Sequence, residues 1–499
     1  MITEEAYAEK IDEPQESYRF VKQHGILITD IQKEFANAVY RPDCTPQSII
    51  ELRRYIGLPI RLKEVSVDNF TALVTSRHEK KSTSSLQNTG YLEEGLDLQH
   101  FLSDLPKAEE ILASDNDSPV IRLINALMFE AVKKSASDIH FEPFEEKLAV
   151  RIRIDGILHN TLEVPAILAP LIVSRLKIIA NLDISEKRLP QDGRISITIA
   201  GRTINIRVST IPVSHGERVV LRILDKESVH LNLTDLGIND ELLISIRRLI
   251  AKPHGIILVT GPTGSGKTTT LYAMLTELNS PGRNIMTVED PIEYDVKGIA
   301  QTHVNTKVEM TFAKSLRAIL RQDPDVVMVG EIRDLETAVI AVQASLTGHL
   351  VLSTLHTNTA VGAITRLRDI GVQSFLLSSS LIGVIAQRLI RLLCKDCKES
   401  YSPTPDECHS LGINIDSQII IYKARGCDRC HQTGYLGRIG VYEIIETDPQ
   451  LQAMIHQNLA EQELEAYIRK KSLSLWQNSC YRVLSGQTSL SEITRVSTE

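Results

Sequence analysis

The sequence predicts an α/β protein built from about three domains, and three observations carry that expectation. From about residue 235 onward, short apolar runs alternate with helical periodicity and glycine-rich turns, the pattern of a parallel sheet covered by helices. Ahead of it lie runs in which apolar and polar residues alternate, the mark of half-buried strands. The length, 499 residues, exceeds what one hydrophobic core ordinarily organises.

Taken in order, residues 1–75 carry apolar runs at 25–29, 49–56 and 60–65 and read as a small N-terminal α/β domain. Residues 76–117 read as a linker: 76–90 are rich in Ser and Lys, and acidic residues punctuate 93–117. A middle α+β domain is expected over 118–230. Ser118-Pro119 opens a helix with apolar residues at Val120, Leu123, Ile124, Leu127, Met128 and Ala131, which is the 3.6 period with proline in the first turn. Alternating runs at 148–154, 195–199, 203–208 and 218–223 predict strands that present arginines on one face, with turns at Asp192-Gly193 and Ala200-Gly201. The parallel α/β domain is expected over 235–499.

Composition limits the alternatives. Lys plus Arg number 55 against 63 Asp plus Glu, a formal net charge of −8 in a chain that is 42% hydrophobic and 24% charged. That balance excludes wholesale disorder and argues against coating nucleic acid by bulk charge. The opening Met1-Ile2-Thr3-Glu4-Glu5 lacks the basic and apolar segments of a secretory signal. The most apolar stretches, 168–182 and 376–393, are interrupted by Arg, Lys or Gln, so no membrane span is expected. A cytosolic chain follows.

Chemistry concentrates after the apolar run at 256–259, where Gly261-Pro262-Thr263-Gly264-Ser265-Gly266-Lys267-Thr268-Thr269 leads into a helix. This is the phosphate loop G-x-x-x-x-G-K-[ST] in its strand-loop-helix context. Its glycines let backbone N–H groups turn inward around a phosphate, and the helix adds the positive end of its dipole. Lys267 reaches the β and γ oxygens of ATP, and Thr268 offers a hydroxyl to Mg²⁺. Two strand-end acidic sites accompany it. The apolar strand after Asp325 ends at Glu331, the Walker B arrangement, and Glu289-Asp290-Pro291-Ile292-Glu293 follows another strand. Glu331 and Glu293 are the candidates for holding metal and activating water; Glu289 and Asp290 also fit a capped turn. His349 and His356 bracket the strand at 350–354 and are candidates for sensing nucleotide.

Cys394-Lys-Asp-Cys397 and Cys427-Asp-Arg-Cys430 are two thiolate pairs, and four soft ligands favour a closed tetrahedral Zn²⁺ site. Residues 394–430 are therefore expected to form a zinc-binding insertion without an open catalytic position, while Cys44, Cys408 and Cys480 read as reduced thiols.

Taken together, the segments at 188–194, 214–218, 261–269, 288–293, 316–325, 329–334 and 347–356 resemble the secretion and pilus traffic ATPases, and among them the GspE-like ATPases of type II secretion. The resemblance covers roughly residues 118–450. It implies a RecA-like ATPase domain preceded by a PAS-like middle domain, ATP held between the two, a hexameric ring, and a hinge near 226–235. It further implies that Glu293 and Glu331 are catalytic, that His349 and His356 form the family's histidine box, and that Arg207, Arg222, Arg317 and Arg321 surround the phosphates. Guanidinium groups suit that task because they spread charge off the phosphoryl transition state. Arg194 and Arg218 are further candidates, or solvated strand residues.

The function implied is a cytoplasmic ATPase driving pseudopilus assembly and export from the inner-membrane face of a Gram-negative-type bacterium. Its N-terminal domain would dock on the cytoplasmic part of a membrane-embedded platform protein. The alternative is a pilus extension ATPase; the short N-terminal region and the wording of 321–333 favour the secretion branch. A nucleic-acid partner is not expected, since the zinc segment offers little aromatic surface beyond Tyr401, Tyr422 and Tyr435. One departure stands out: Glu309 occupies a position where relatives usually carry glycine, so a different turn is expected there.

Overall fold

The computed structural model describes residues 25–31, 35–42, 44–56, 58–66, 70, 118–199, 202–224, 232–305, 308–414 and 419–498. The expected linker at 76–117, the turn at Ala200-Gly201 and most of the expected hinge lie outside these residues. Two compact units emerge: Met1–Lys133 with His140–Val150 and Leu162–Leu221, and Lys134–Ile139 with Arg151–Thr161 and Arg222–Glu499.

Near the N-terminus, β1 (Ile26–Ile31) pairs antiparallel with β2 (Ala36–Tyr40), and the amphipathic α1 (Pro46–Ile56) returns the chain so that β3 (Ile60–Glu64) lies parallel to β2. Leu52 of α1 closes over Ile26, Ile28 and Ala38 in a small core. Next comes α2 (Ser118–Lys133), followed by β4 (Asp138–Pro143), β5 (Lys147–Ile154), β6 (Ile157–Pro165), α3 (Ala169–Ile179), β7 (Gln191–Ile199), β8 (Arg202–Val213) and β9 (Gly216–Leu224). These strands form one sheet in the order β6-β5-β4-β9-β8-β7.

Two features of this sheet differ from expectation. Asp192-Gly193 is no turn but part of β7; a side chain at Gly193 would come within 2.6 Å of the Ala180 carbonyl, so close backbone approach, rather than chain reversal, explains the glycine. Strand β4 is buried throughout although it reads Asp-Ile-His-Phe-Glu-Pro. Its polar residues are matched by arginines of β9, Arg222 to Asp138 at 2.9 Å and Arg218 to Glu142 at 2.7 Å, a complement that local sequence does not display.

The second unit carries the larger sheet. Along the chain run α4 (Asp240–Ile250), β10 (Gly255–Thr260), α5 (Lys267–Leu278), β11 (Ile285–Glu289), β12 (Ala300–His303), α6 (Phe312–Ile319), β13 (Val326–Val329), α7 (Leu335–Leu346), β14 (Leu350–Leu355), α8 (Ala360–Ile370), the short α9 (Ser374–Ser380) and β15 (Leu381–Leu393). The small β16 (Glu399–Tyr401), α10 (Pro405–Leu411) and β17 (Ile421–Lys423) precede β18 (Tyr435–Glu446), and α11 (Pro449–His456), α12 (Glu461–Ile468), α13 (Leu475–Leu484) and α14 (Leu490–Thr498) finish the chain. The strand order is β12-β11-β13-β14-β10-β15-β18, parallel except for the antiparallel edge strand β18.

Strand β10 is buried at all six positions, as expected of a central parallel strand. Period-2 alternation divides its side chains between two cores: Ile256 and Leu258 pack with residues of α6, α7 and α8, while Ile257 and Val259 pack with residues of α4 and α5. Side-chain caps set the helix starts, with Asn239, Thr311 and Asp334 each accepting a backbone N–H from the first turn. Glu309 adopts φ +56°, so the left-handed turn that glycine would favour is kept with glutamate in place, and its carboxylate pairs with Lys314 at 2.8 Å. Among the described residues, no helix is long and apolar enough to cross a membrane.

Candidate nucleotide site and metal centre

Because β10, β11, β13 and β14 run parallel, the loops that follow them emerge at one end of the strands, where ligands bind in open α/β folds. That end gathers the 261–266 loop, Glu293, Glu331 and His356.

The loop is shaped for a phosphate. Gly264 and Gly266 hold φ of +80° and +87°, conformations that a side chain would disfavour, and Gly266 caps α5. The Ser265 hydroxyl is buried without a hydrogen-bond partner, an unsatisfied donor beside the helix N-terminus. From β15, the Gln387 side-chain amide donates to the Ser265 carbonyl at 2.6 Å and fixes the loop from behind. Lys267 Nζ donates to the carbonyls of Gly261 at 2.6 Å and Pro262 at 3.0 Å. Thr268 is exposed in the first turn of α5, and Thr269 is half-buried behind it. These donors fit a triphosphate, and the Thr268 hydroxyl fits the coordination of Mg²⁺.

Burial pulls the Lys267 ammonium down to about 8, partly opposed by Glu331 and reinforced by Arg388. Phosphate oxygens beside it would raise that value again. Below pH 8 the lysine is already charged and binding takes up no proton; above pH 8 it must gain one, so affinity falls as pH rises. Calorimetry of ATP binding in buffers of different ionisation enthalpy is expected to show proton uptake at pH 9 and little at pH 7; uptake equal at both would refute the linkage.

Glu331 lies two residues beyond β13, with its side chain 16% exposed, and pairs with the Arg333 guanidinium. His356 bridges it to the loop: Nε2 is 3.6 Å from Glu331 and Nδ1 is 3.5 Å from Lys267 Nζ. Burial, and then the Lys267 charge, hold the His356 ring below its ordinary value, so at neutral pH it is a neutral imidazole able to accept from Lys267 and donate to Glu331. Glu293 is half-buried in the turn after β11. Glu289 has a structural task, accepting from Tyr272, from Thr287 at 2.6 Å and from Gln301 at 3.0 Å. Asp290 is exposed.

The other sequence candidates are placed elsewhere. His349 precedes β14, at the opposite end of that strand, roughly 20 Å from His356 at the rise of a six-residue strand. Its Nδ1 is 2.8 Å from the Ala344 carbonyl at the end of α7. Arg317 and Arg321 line an exposed groove between α6 and α7, with Arg317 paired to Glu336 at 2.8 Å. Arg207 belongs to the first unit, across β7 and β8 from Arg194.

Arg222 does line a cavity of about 430 Å³ together with loop residues 262–265. Arg153, Arg388, Arg438 and Arg495 line it too, and sequence reasoning singled out none of them. Single arginines on separate strands and on the last helix carry no local signature; nor does Gln387, whose task appears once β15 lies beside β10.

The cysteines converge as expected. Ligand atoms of Cys394, Cys397, Cys427 and Cys430 all lie within 4.8 Å of one another. Sulfur separations are 3.8 Å for Cys394–Cys427, 3.8 Å for Cys397–Cys430 and 3.7 Å for Cys427–Cys430. A tetrahedron with Zn–S bonds of about 2.3 Å has edges of about 3.8 Å, so the cage has the dimensions of zinc. Backbone N–H groups of Cys427 and Gly434 point at Cys430 Sγ, each at 3.2 Å. Burial acts to raise that thiol, yet these bonds draw it down to about 7, favouring the ligating thiolate. Replacing Cys397 with Ser is expected to remove bound zinc and loosen 394–430 while the phosphate loop stays folded. Elemental analysis with limited proteolysis checks this, and undiminished zinc would contradict the site.

The sequence matches the family described as Type II/IV secretion system protein over residues 113–495, and an N-terminal domain family of GSPII protein E over 17–77. Type II secretion system protein E of Pseudomonas aeruginosa is 51% identical over 482 residues, covering 97% of this chain and 96% of that protein. The type II secretion system ATPase E of Vibrio cholerae is 52% identical over 478 residues, covering 95% of each. Among solved structures, the pilus retraction motor PilT with bound ADP aligns with a TM-score of 0.50 and 27% identity, over 75% of this chain and 96% of that one. The Yersinia pseudotuberculosis ATPase DotB, at 20% identity, shares the fold with a TM-score of 0.57 over 76% of this chain and 93% of its own.

Proposed function

Since this chain belongs to the type II/IV secretion system protein family, we propose that it is the ATPase of type II secretion, hydrolysing ATP to ADP and phosphate to drive pseudopilus assembly and protein export. The observation that carries the reading is the convergence of Lys267, His356 and Glu331 at the end of the sheet where the phosphate loop emerges.

In this mechanism the loop N–H groups and Lys267 hold the β and γ phosphates, with Lys267 exchanging its bonds to Gly261 and Pro262 for phosphate oxygens. Mg²⁺, when bound through Thr268, neutralises charge between those phosphates. Glu331, oriented by Arg333 and His356, and Glu293 are the carboxylates that orient water and take its proton. Arg222 reaches the same cavity and offsets charge in the transition state.

Arg317, Arg321 and His349 do not line that cavity, which supports their acting on the nucleotide of a neighbouring copy in a hexameric ring. Zn²⁺ would be structural, held by the four cysteines. We assign residues 1–75 to docking on an inner-membrane platform protein, 76–117 to a linker, 118–230 to the middle domain and 235–499 to the motor, so that the chain works at the membrane from the cytoplasmic side. The match of 17–77 to an N-terminal domain of secretion protein E supports the docking assignment.

Deleting the gene tests the reading. The source bacterium is expected to retain its normally exported enzymes in the periplasm and to keep its pili; lost pili with intact export would transfer the motor to pilus assembly.

A further inference from the structure

Strand β4 places a carboxylate, Asp138, against the arginines of the phosphate-loop cavity, and all of these residues belong to the second compact unit. The carboxylate is only 5% exposed. Asp138 Oδ1 accepts from Arg222 Nε at 2.9 Å, Oδ2 lies 3.5 Å from Arg153 Nε, and the neighbouring Ser137 hydroxyl donates to Oδ2 at 2.8 Å. One buried acid therefore braces two guanidinium groups on either side of it. We infer that Asp138 is a positioning residue for ATP hydrolysis, holding Arg222 so that its guanidinium fork faces the transferring phosphate. The inference rests on the reading of Arg222 given above.

The geometry favours this over simple sheet glue. Asp138 engages Arg222 through Nε, leaving the terminal nitrogens, the pair suited to two phosphate oxygens, pointing beyond the contact. The Arg222 side chain is 55% exposed, so without a brace it would spread over many rotamers and meet the phosphate rarely. Arg153 is the more committed of the two, its Nη1 donating to the Gly156 carbonyl at 2.8 Å. An internal comparison exists four residues along β4, where Glu142 holds Arg218 at 2.7 Å, and neither residue lines the cavity. Both pairs stitch β4 to β9; one of them faces the phosphate loop.

The test uses steady-state phosphate release by the full-length protein. Asp138→Asn is expected to lower kcat about tenfold with KM changed less than twofold, Asp138→Glu to recover part of the loss, and Glu142→Gln to keep kcat within twofold. In an Arg222→Ala background, Asp138→Asn is expected to cost nothing further, because the group it positions is gone. An equal loss from Asp138→Asn in both backgrounds, or a tenfold loss from Glu142→Gln, would show general loosening of the sheet and overturn the inference while leaving the proposed function in place. If Arg222→Ala turns over at the wild-type rate while Lys267→Ala is inactive, the arginine assignment and this inference both fall, and the nucleotide site stands.

Discussion

Replacing Glu331 with Gln is expected to leave ATP bound and to slow its hydrolysis by about 10²–10⁴-fold, the range a positioned general base contributes. The substitution keeps the side chain's shape and its capacity to accept from His356 and Arg333. What it removes is the charge that can take a proton from water. Glu331 also supports the positive charge on Lys267, so Gln should let the lysine titrate below its present value of about 8 and shift proton uptake on binding to lower pH. Affinity should hold or improve near neutrality, since one anion facing the phosphates is gone. Single-turnover phosphate release beside equilibrium nucleotide binding separates the two effects. An unchanged hydrolysis rate would remove Glu331 from the mechanism.

Lys267→Ala strikes both steps. Charge-assisted hydrogen bonds contribute about 1.5–3 kcal/mol each, which corresponds to roughly ten- to a hundred-fold in nucleotide affinity. Turnover should fall further, by about 10²–10³-fold, because a preorganised donor aimed at developing charge stabilises the transition state more than the ground state. The loop itself should survive, since Gln387 still holds the Ser265 carbonyl and glycines still set its curvature. Near-wild-type phosphate release by this variant would reject the phosphate-loop assignment.

The contrast between β10 and β4 shows which elements were legible. Six buried residues leading into a glycine-rich loop announce strand, turn and helix in one short window. In β4, Asp138, His140 and Glu142 mimic a polar loop until β9 supplies its arginines from about eighty residues away. Glycine is equally ambiguous: at 264 and 266 it meets a positive φ, whereas at 193 it makes room for a neighbouring carbonyl, and the sequence reads alike in both cases.

By itself the sequence determined the phosphate loop, the strand-end carboxylates and the four zinc ligands, because each is a local pattern whose spacing reflects the geometry of one ligand. Tertiary structure decided which of the remaining candidates meet. His349 and His356 bracket one strand, yet parallel pairing puts them at opposite ends of it, and a fully extended backbone cannot bring its two ends together. Arg222, Asp138 and Gln387 acquire their roles through contacts across strands distant in sequence, where register and strand order, rather than composition, set who touches whom.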